Sequence, residues 1–146
     1  MDGKYMKIAL KEAKKAYLKN EVPVGAVIVK NGEIISKAHN QKVSTKNIFG
    51  HAEILAIKKA ANKIGDWRLN ECVMYVTLEP CPMCASAIQQ SRIKKVYIGA
   101  SSKIENNKDI IQSIFQNPQF NHIVDVEYNC DDDCSQILTD FFCDKR

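Results

Sequence analysis

The strongest constraint on the fold lies around residue 80. Val73-Met-Tyr-Val-Thr-Leu78 is rich in β-branched and aromatic residues, Pro80 stops it, and Cys84-Ala-Ser-Ala-Ile88 follows with good helix formers, so the chain runs strand, turn, helix. Cys81 and Cys84 stand at that turn. Cys-x-x-Cys there brings two sulfurs close together, and the N–H groups of a helix start favour their thiolate forms, which bind zinc. Taken alone, the pair is open to other readings: a redox pair, or half of a structural zinc site.

The rest of the chain alternates helices with strands. Met6, Leu10, Ala13 and Tyr17 recur at spacings of three to four, which predicts an amphipathic helix from about Asp2 to Lys19. Val24–Val29 and Glu33–Lys37 are β-rich runs separated by Asn31-Gly32, a pair suited to the positive φ angles of a tight hairpin. A polar stretch from His39 to Gly50 reads as a loop. His51 to about Lys63 then reads as a helix, with Ile54, Ile57, Ala61 and Ile64 on one face and Gly65 at its end. Further on come a strand at Lys95–Gly99, a short helix from Lys108 to Phe115 and a strand at Ile123–Tyr128. Asp131, Asp132 and Asp133 put negative charge at the start of a last helix, Cys134, Ile137, Leu138, Phe141 and Phe142 form its apolar face, and Lys145-Arg146 stand at its end. This order predicts one α/β domain over residues 1–146 with a sheet covered on both faces.

His51-Ala52-Glu53 narrows the reading of the cysteines. A closed structural zinc site recruits four protein ligands, whereas His51, Cys81 and Cys84 make three and leave one tetrahedral position open, the arrangement of a catalytic zinc. Glu53 lies two positions past His51, close enough to approach the metal region while staying outside the ligand set. Its expected role is to carry protons, because zinc lowers the pKa of bound water towards ~7 and a neighbouring carboxylate accepts the proton released. Neither a redox pair nor a structural site needs that carboxylate. Cys72 reads as a loop or core thiol, and Cys134 belongs to the apolar helix face, so a second site from His122, Cys130 and Cys134 is disfavoured. His39 reads as a polar loop residue. Phe49 and Trp67 are open to two roles, contact with a base or packing, and packing is the commoner one.

Composition limits the remaining classes. The chain is 146 residues with 45% hydrophobic and 26% charged residues, enough apolar material for one core. No run approaches the eighteen apolar residues of a membrane span, and lysines interrupt the N-terminal segment where an export signal would be apolar, so the expectation is a cytoplasmic protein with no membrane partner. The six cysteines, without an export signal, favour metal binding over disulfides. A net charge of +4 suits an anionic partner without requiring one.

His-x-Glu followed by Pro-Cys-x-x-Cys is the signature of zinc nucleobase deaminases. The resemblance extends further: Val22–Val29, His51–Ile54, Tyr75–Cys81, Ser91-Arg-Ile93 and Asp140-Phe-Phe142 resemble bacterial tRNA adenosine deaminases, over nearly the whole chain. The resemblance implies a cytidine-deaminase-like three-layer α/β/α sandwich around a central mixed sheet, a homodimer with one zinc per chain, and hydrolytic formation of inosine at the wobble position of a tRNA anticodon stem-loop. It also implies that Asn40 helps hold the target nucleoside, although from its surroundings alone Asn40 is a polar turn residue. Arg92 and Lys103 are candidate RNA contacts, against the commoner role of exposed basic residues as solvated charges. Two departures stand out. Phe49-Gly50 replaces a Thr-Ala pair common in the family, and Ser102–Lys108 lacks the acidic residue and glycines of the loop that helps receive the stem-loop. The alternatives are a deaminase of a free base or nucleoside such as guanine, cytosine or cytidine, and a non-catalytic zinc-stabilised RNA-binding module.

Overall fold

A computed structural model describes residues 3–144; Asp2, Lys145 and Arg146, at the ends of the expected first and last helices, lie outside the described residues. Five strands form one mixed sheet in the order β2-β1-β3-β4-β5. The hairpin of β1 (Gly25–Lys30) and β2 (Glu33–His39) turns through Asn31 and Gly32, both at positive φ (51° and 77°), as their spacing predicts. β1 also pairs antiparallel with β3 (Cys72–Leu78), while β4 (Lys95–Ala100) and β5 (Asp125–Tyr128) extend the sheet in parallel.

Side chains alternate across this sheet, and each face receives its own helices. Ala26, Ile28, Met74, Val76, Val96 and Ile98 point to the face packed by α2 (Ala52–Ile64), α3 (Pro82–Gln90) and α4 (Asn107–Phe115). Val27, Val29 and Tyr75 point to the other, packed by Met6 and Ala9 of α1 (Lys4–Leu18) and Cys134 of α5 (Asp132–Asp144). The result is the expected three-layer sandwich. Among the described residues no helix is long and apolar enough to cross a membrane.

Two helix faces differ from the expectation for a common reason. α2 buries Ala52, Glu53, Ala56 and Ala60, while Ile54, Ile57, Ala61 and Ile64 are only half-buried on its flank. α1 buries Met6, Ala9, Ala13 and Ala16, with Leu10 and Tyr17 half-buried. Small side chains let these helices approach the sheet closely, so alanine holds the positions that a count of large apolar residues assigns to leucine and isoleucine. His39 also differs: it ends β2, is buried, and places Nδ1 3.1 Å from Glu12 Oε1 of α1.

Candidate metal centre and active site

Two helix starts converge on one point. His51 is the residue before α2, in extended conformation, and Cys81 holds the same place before α3, with Pro82 at the first helical position where its missing N–H costs nothing. Cys84 lies one turn into α3, buried. His51 Nδ1 is 3.4 Å from Cys84 Sγ and 3.8 Å from Cys81 Sγ. For a tetrahedral zinc with bonds of about 2.3 Å to sulfur and 2.0 Å to nitrogen, the nitrogen and sulfur should lie about 3.5 Å apart, so the three donors fit that ion in number, type and spacing. Among the described residues this is the one group of three His, Cys, Asp or Glu close enough to hold a metal.

The electrostatics suit a cation. The Cys81 thiol is brought down to about 5, chiefly by the hydrogen bond it receives from Cys84, helped by the backbone N–H groups of Cys84 and Met83 and by His51, against the opposing effect of burial. Cys84 is pushed up by that same bond and by burial. Glu53 follows in the first turn of α2 and is buried. Burial pushes its carboxyl up to about 7, with the charge of Cys81 adding to the rise. That value suits a group that must both accept and release a proton near neutrality.

His51, Glu53 and Cys81 open into a cavity of about 210 Å³ together with Asn40 and Lys42. Asn40 Oδ1 accepts a hydrogen bond of 2.9 Å from the Ala52 N–H, capping α2 from outside and leaving the amide nitrogen free of that bond. The segment carrying Asn40 is held from behind: the Glu21 carboxylate accepts the backbone N–H groups of Val43 (3.1 Å) and Ser44 (2.6 Å). Burial alone would raise Glu21, and the N–H groups of Ser44 and Val43, with the Ser44 side chain and the charge of His39, together reverse this and keep it below its ordinary value.

Lys103 lines a larger neighbouring cavity of about 400 Å³, separated from the first by the loop that carries it. Arg92 is the candidate that the fold does not bring to the site. It precedes β4, at the end of the parallel β3–β4 pair opposite to Cys81 and about 20 Å away by strand rise. There its guanidinium lies 5.5 Å from the Trp67 ring, which also carries Arg68 at 4.6 Å. Trp67 and Phe49 are exposed, so neither packs in the core. Cys72 and Cys134 are buried thiols, both raised chiefly by burial, and His122 Nε2 is engaged with the Ile93 carbonyl at 2.8 Å. Sequence reasoning missed Glu21 and also Glu79, a buried carboxylate on the cavity wall. The signal for Glu79 was its place directly before Pro80-Cys81.

Comparison with known proteins agrees with this geometry. Residues 1–100 match the family described as the cytidine and deoxycytidylate deaminase zinc-binding region, a span that contains all three candidate ligands and Glu53. The tRNA-specific adenosine deaminase of Bacillus subtilis is 44% identical over 99% of this chain and 91% of its own length, and that of Aquifex aeolicus is 47% identical over 94% and 91%. A structure from studies of A-to-I editing by tRNA:A34 deaminases at the wobble position of transfer RNA superposes with a TM-score of 0.87 at 36% identity, covering 94% of this chain and 100% of that one. Guanine deaminase from Bacillus subtilis is equally identical at 36% but superposes less completely, with a TM-score of 0.66 over 69% of this chain and 66% of its own. With a zinc-family match over two thirds of its length and full-length relatives above 40% identity, the chain belongs to the cytidine and deoxycytidylate deaminase family and, within it, to the bacterial tRNA-specific adenosine deaminases.

Proposed function

We propose that this chain is a single-domain zinc hydrolase, residues 1–146, that converts adenosine to inosine at the wobble position of tRNA, acting in the cytoplasm as a homodimer with one zinc per chain. The observation that carries the reading is the placement of Glu53: a buried carboxyl beside a three-donor zinc site, lining with His51 and Cys81 a cavity of about 210 Å³. A purely structural site gives that carboxylate no task, which argues against a non-catalytic RNA-binding module.

His51, Cys81 and Cys84 would hold the metal. Bound zinc supplies a Lewis acid that makes hydroxide available from water near neutral pH. Glu53 takes the proton released and delivers it to N1 of adenine while C6 is attacked, then takes the proton of the new C6 hydroxyl and passes it to the departing amino group, so that the C6–N bond breaks, ammonia leaves and inosine with its C6 carbonyl remains. Asn40 has its oxygen committed to Ala52 and turns its amide nitrogen to the target nucleoside. Lys103 is the proposed RNA contact on the cavity wall, and Arg92, a strand length away, is left out of it.

The likeness to a guanine deaminase favours one second reading, a free purine base as substrate. Inosine formation in a stem-loop with adenosine at the wobble position, compared with ammonia release from guanine, cytosine and cytidine at equal enzyme, separates the two. Conversion of the stem-loop far ahead of every small substrate is expected. Efficient turnover of guanine without inosine in RNA would replace this reading by the second. Light scattering should give twice 16.5 kDa, and a monomer mass would remove the dimer.

A further inference from the structure

Glu79 sits between the metal loop and the wall that divides the two cavities, and the ends of that wall converge on it. Its backbone N–H donates to the Ala100 carbonyl (2.8 Å), at the end of β4 where loop 101–106 begins. Its carboxylate Oε1 accepts from Asn107 Nδ2 (2.7 Å), where the loop ends in α4, and the same Nδ2 reaches the Pro80 carbonyl (3.1 Å). Oε2 accepts from the Tyr128 hydroxyl at 2.5 Å. Asn107 faces two acceptors, which fixes its amide orientation. Glu79 and Asn107 are buried, so these bonds are shielded from competing water. The loop they enclose holds Ser102 and Ile104, which line both cavities.

We propose that Glu79 is a positioning residue that governs substrate entry: through Asn107 and Tyr128 it clamps loop 101–106 to the Pro80-Cys81 turn and so fixes the wall past which a polynucleotide must run to place its target base beside Glu53. The RNA half of this inference rests on the function proposed above; the clamp itself does not. A lone base meets the loop only at Ser102 and Ile104 in the smaller cavity, whereas an RNA also meets its other side at Lys103 in the larger one, so loosening the clamp should weaken RNA capture more than the chemical step.

Asn107→Ala tests it. Hydrogen exchange of amides 101–106 should accelerate about tenfold while amides of α2 exchange as in wild type, and zinc content should stay unchanged. KM for the stem-loop should rise about tenfold with kcat reduced no more than about threefold, the signature of lost binding that is equal in ground and transition states. Tyr128→Phe, which removes a single bond, should give a smaller change in the same direction. Asn107→Asp sets two carboxylates face to face and should exceed Asn107→Ala. Adding Glu79→Gln to Asn107→Asp restores a donor opposite an acceptor, and part of both losses should return. Unaltered exchange in 101–106, a fall in kcat with KM unchanged, or no rescue in the double variant overturns the proposal. If wild-type enzyme leaves the stem-loop unconverted, the proposed function falls, and exchange and its rescue still decide the clamp.

Discussion

Glu53 and the cysteines divide metal binding from proton transfer, and single substitutions should separate the two. Cys81→Ala and Cys84→Ala each remove one of three protein ligands and should lose most of the zinc, because an incomplete site holds the ion poorly. Glu53→Gln keeps the shape and burial of the side chain but cannot carry a proton. It should therefore retain zinc and fold while turnover falls by about 10²–10⁴-fold, the usual contribution of a positioned general acid–base. Metal analysis alongside single-turnover assay distinguishes these outcomes. Full zinc in both cysteine variants would reject the ligand set, and near-normal turnover in Glu53→Gln would reject the proton carrier.

At the scale of elements, the sandwich depends on an interior strand, β1, and a helix, α1, that approach without a gap. A Cβ at Gly25 would fall 1.9 Å from the Ala9 carbonyl oxygen and 2.7 Å from the Ala13 nitrogen, both backbone atoms of α1, so Gly25→Ala must push the helix away. It should cost at least about 1–3 kcal/mol in chemical denaturation, the range for overpacking, and an unchanged midpoint would mean that α1 can shift freely. The loop after β2 gives a pH-dependent counterpart. Glu21 lies below its ordinary value of 4.5 in the folded protein, so the stability from its bonds to Val43 and Ser44 is complete above 4.5 and is lost as pH falls through the folded value. Glu21→Gln should therefore cost about 1.5–3 kcal/mol at pH 7, as for hydrogen bonds to a charged group. The gap from wild type should narrow well below pH 4.5, and a gap constant with pH would show that the carboxylate charge is not what holds the loop. These same contacts mark where the sequence stops being readable. His51, Glu53, Cys81 and Cys84 are legible because helix starts and short spacings are local. The alanine faces of α1 and α2 are not, because small residues earn burial only once a sheet is present to approach. Glu79 meets Asn107 across 28 positions and Tyr128 across 49, Glu21 meets Ser44 across 23, and no periodicity reports such pairs.

The whole molecule carries a modest excess of positive charge, +4, so RNA affinity should come from a few placed cations and not from a broad field. Lys42 stands at the smaller cavity and Lys103 on the wall of the larger one, while Arg92 and Arg68 are stacked on Trp67 at the far end of β4. Each phosphate neutralised on binding releases a counterion, which makes log affinity fall with log salt by about 0.7–0.9 per contact. If the stem-loop is received over the two cavities, Lys42→Ala and Lys103→Ala should each flatten that slope by roughly one unit, with little change in turnover at saturating RNA. Arg92→Ala should leave the slope as in wild type, because its guanidinium is a strand length from Cys81. Titrations of the stem-loop between low and moderate salt, on zinc-loaded protein, read all three slopes directly. A slope lowered by Arg92→Ala would mean that RNA runs along the whole α2–α3 side of the sandwich, and unchanged slopes for both lysines would move the RNA path off the cavity wall altogether.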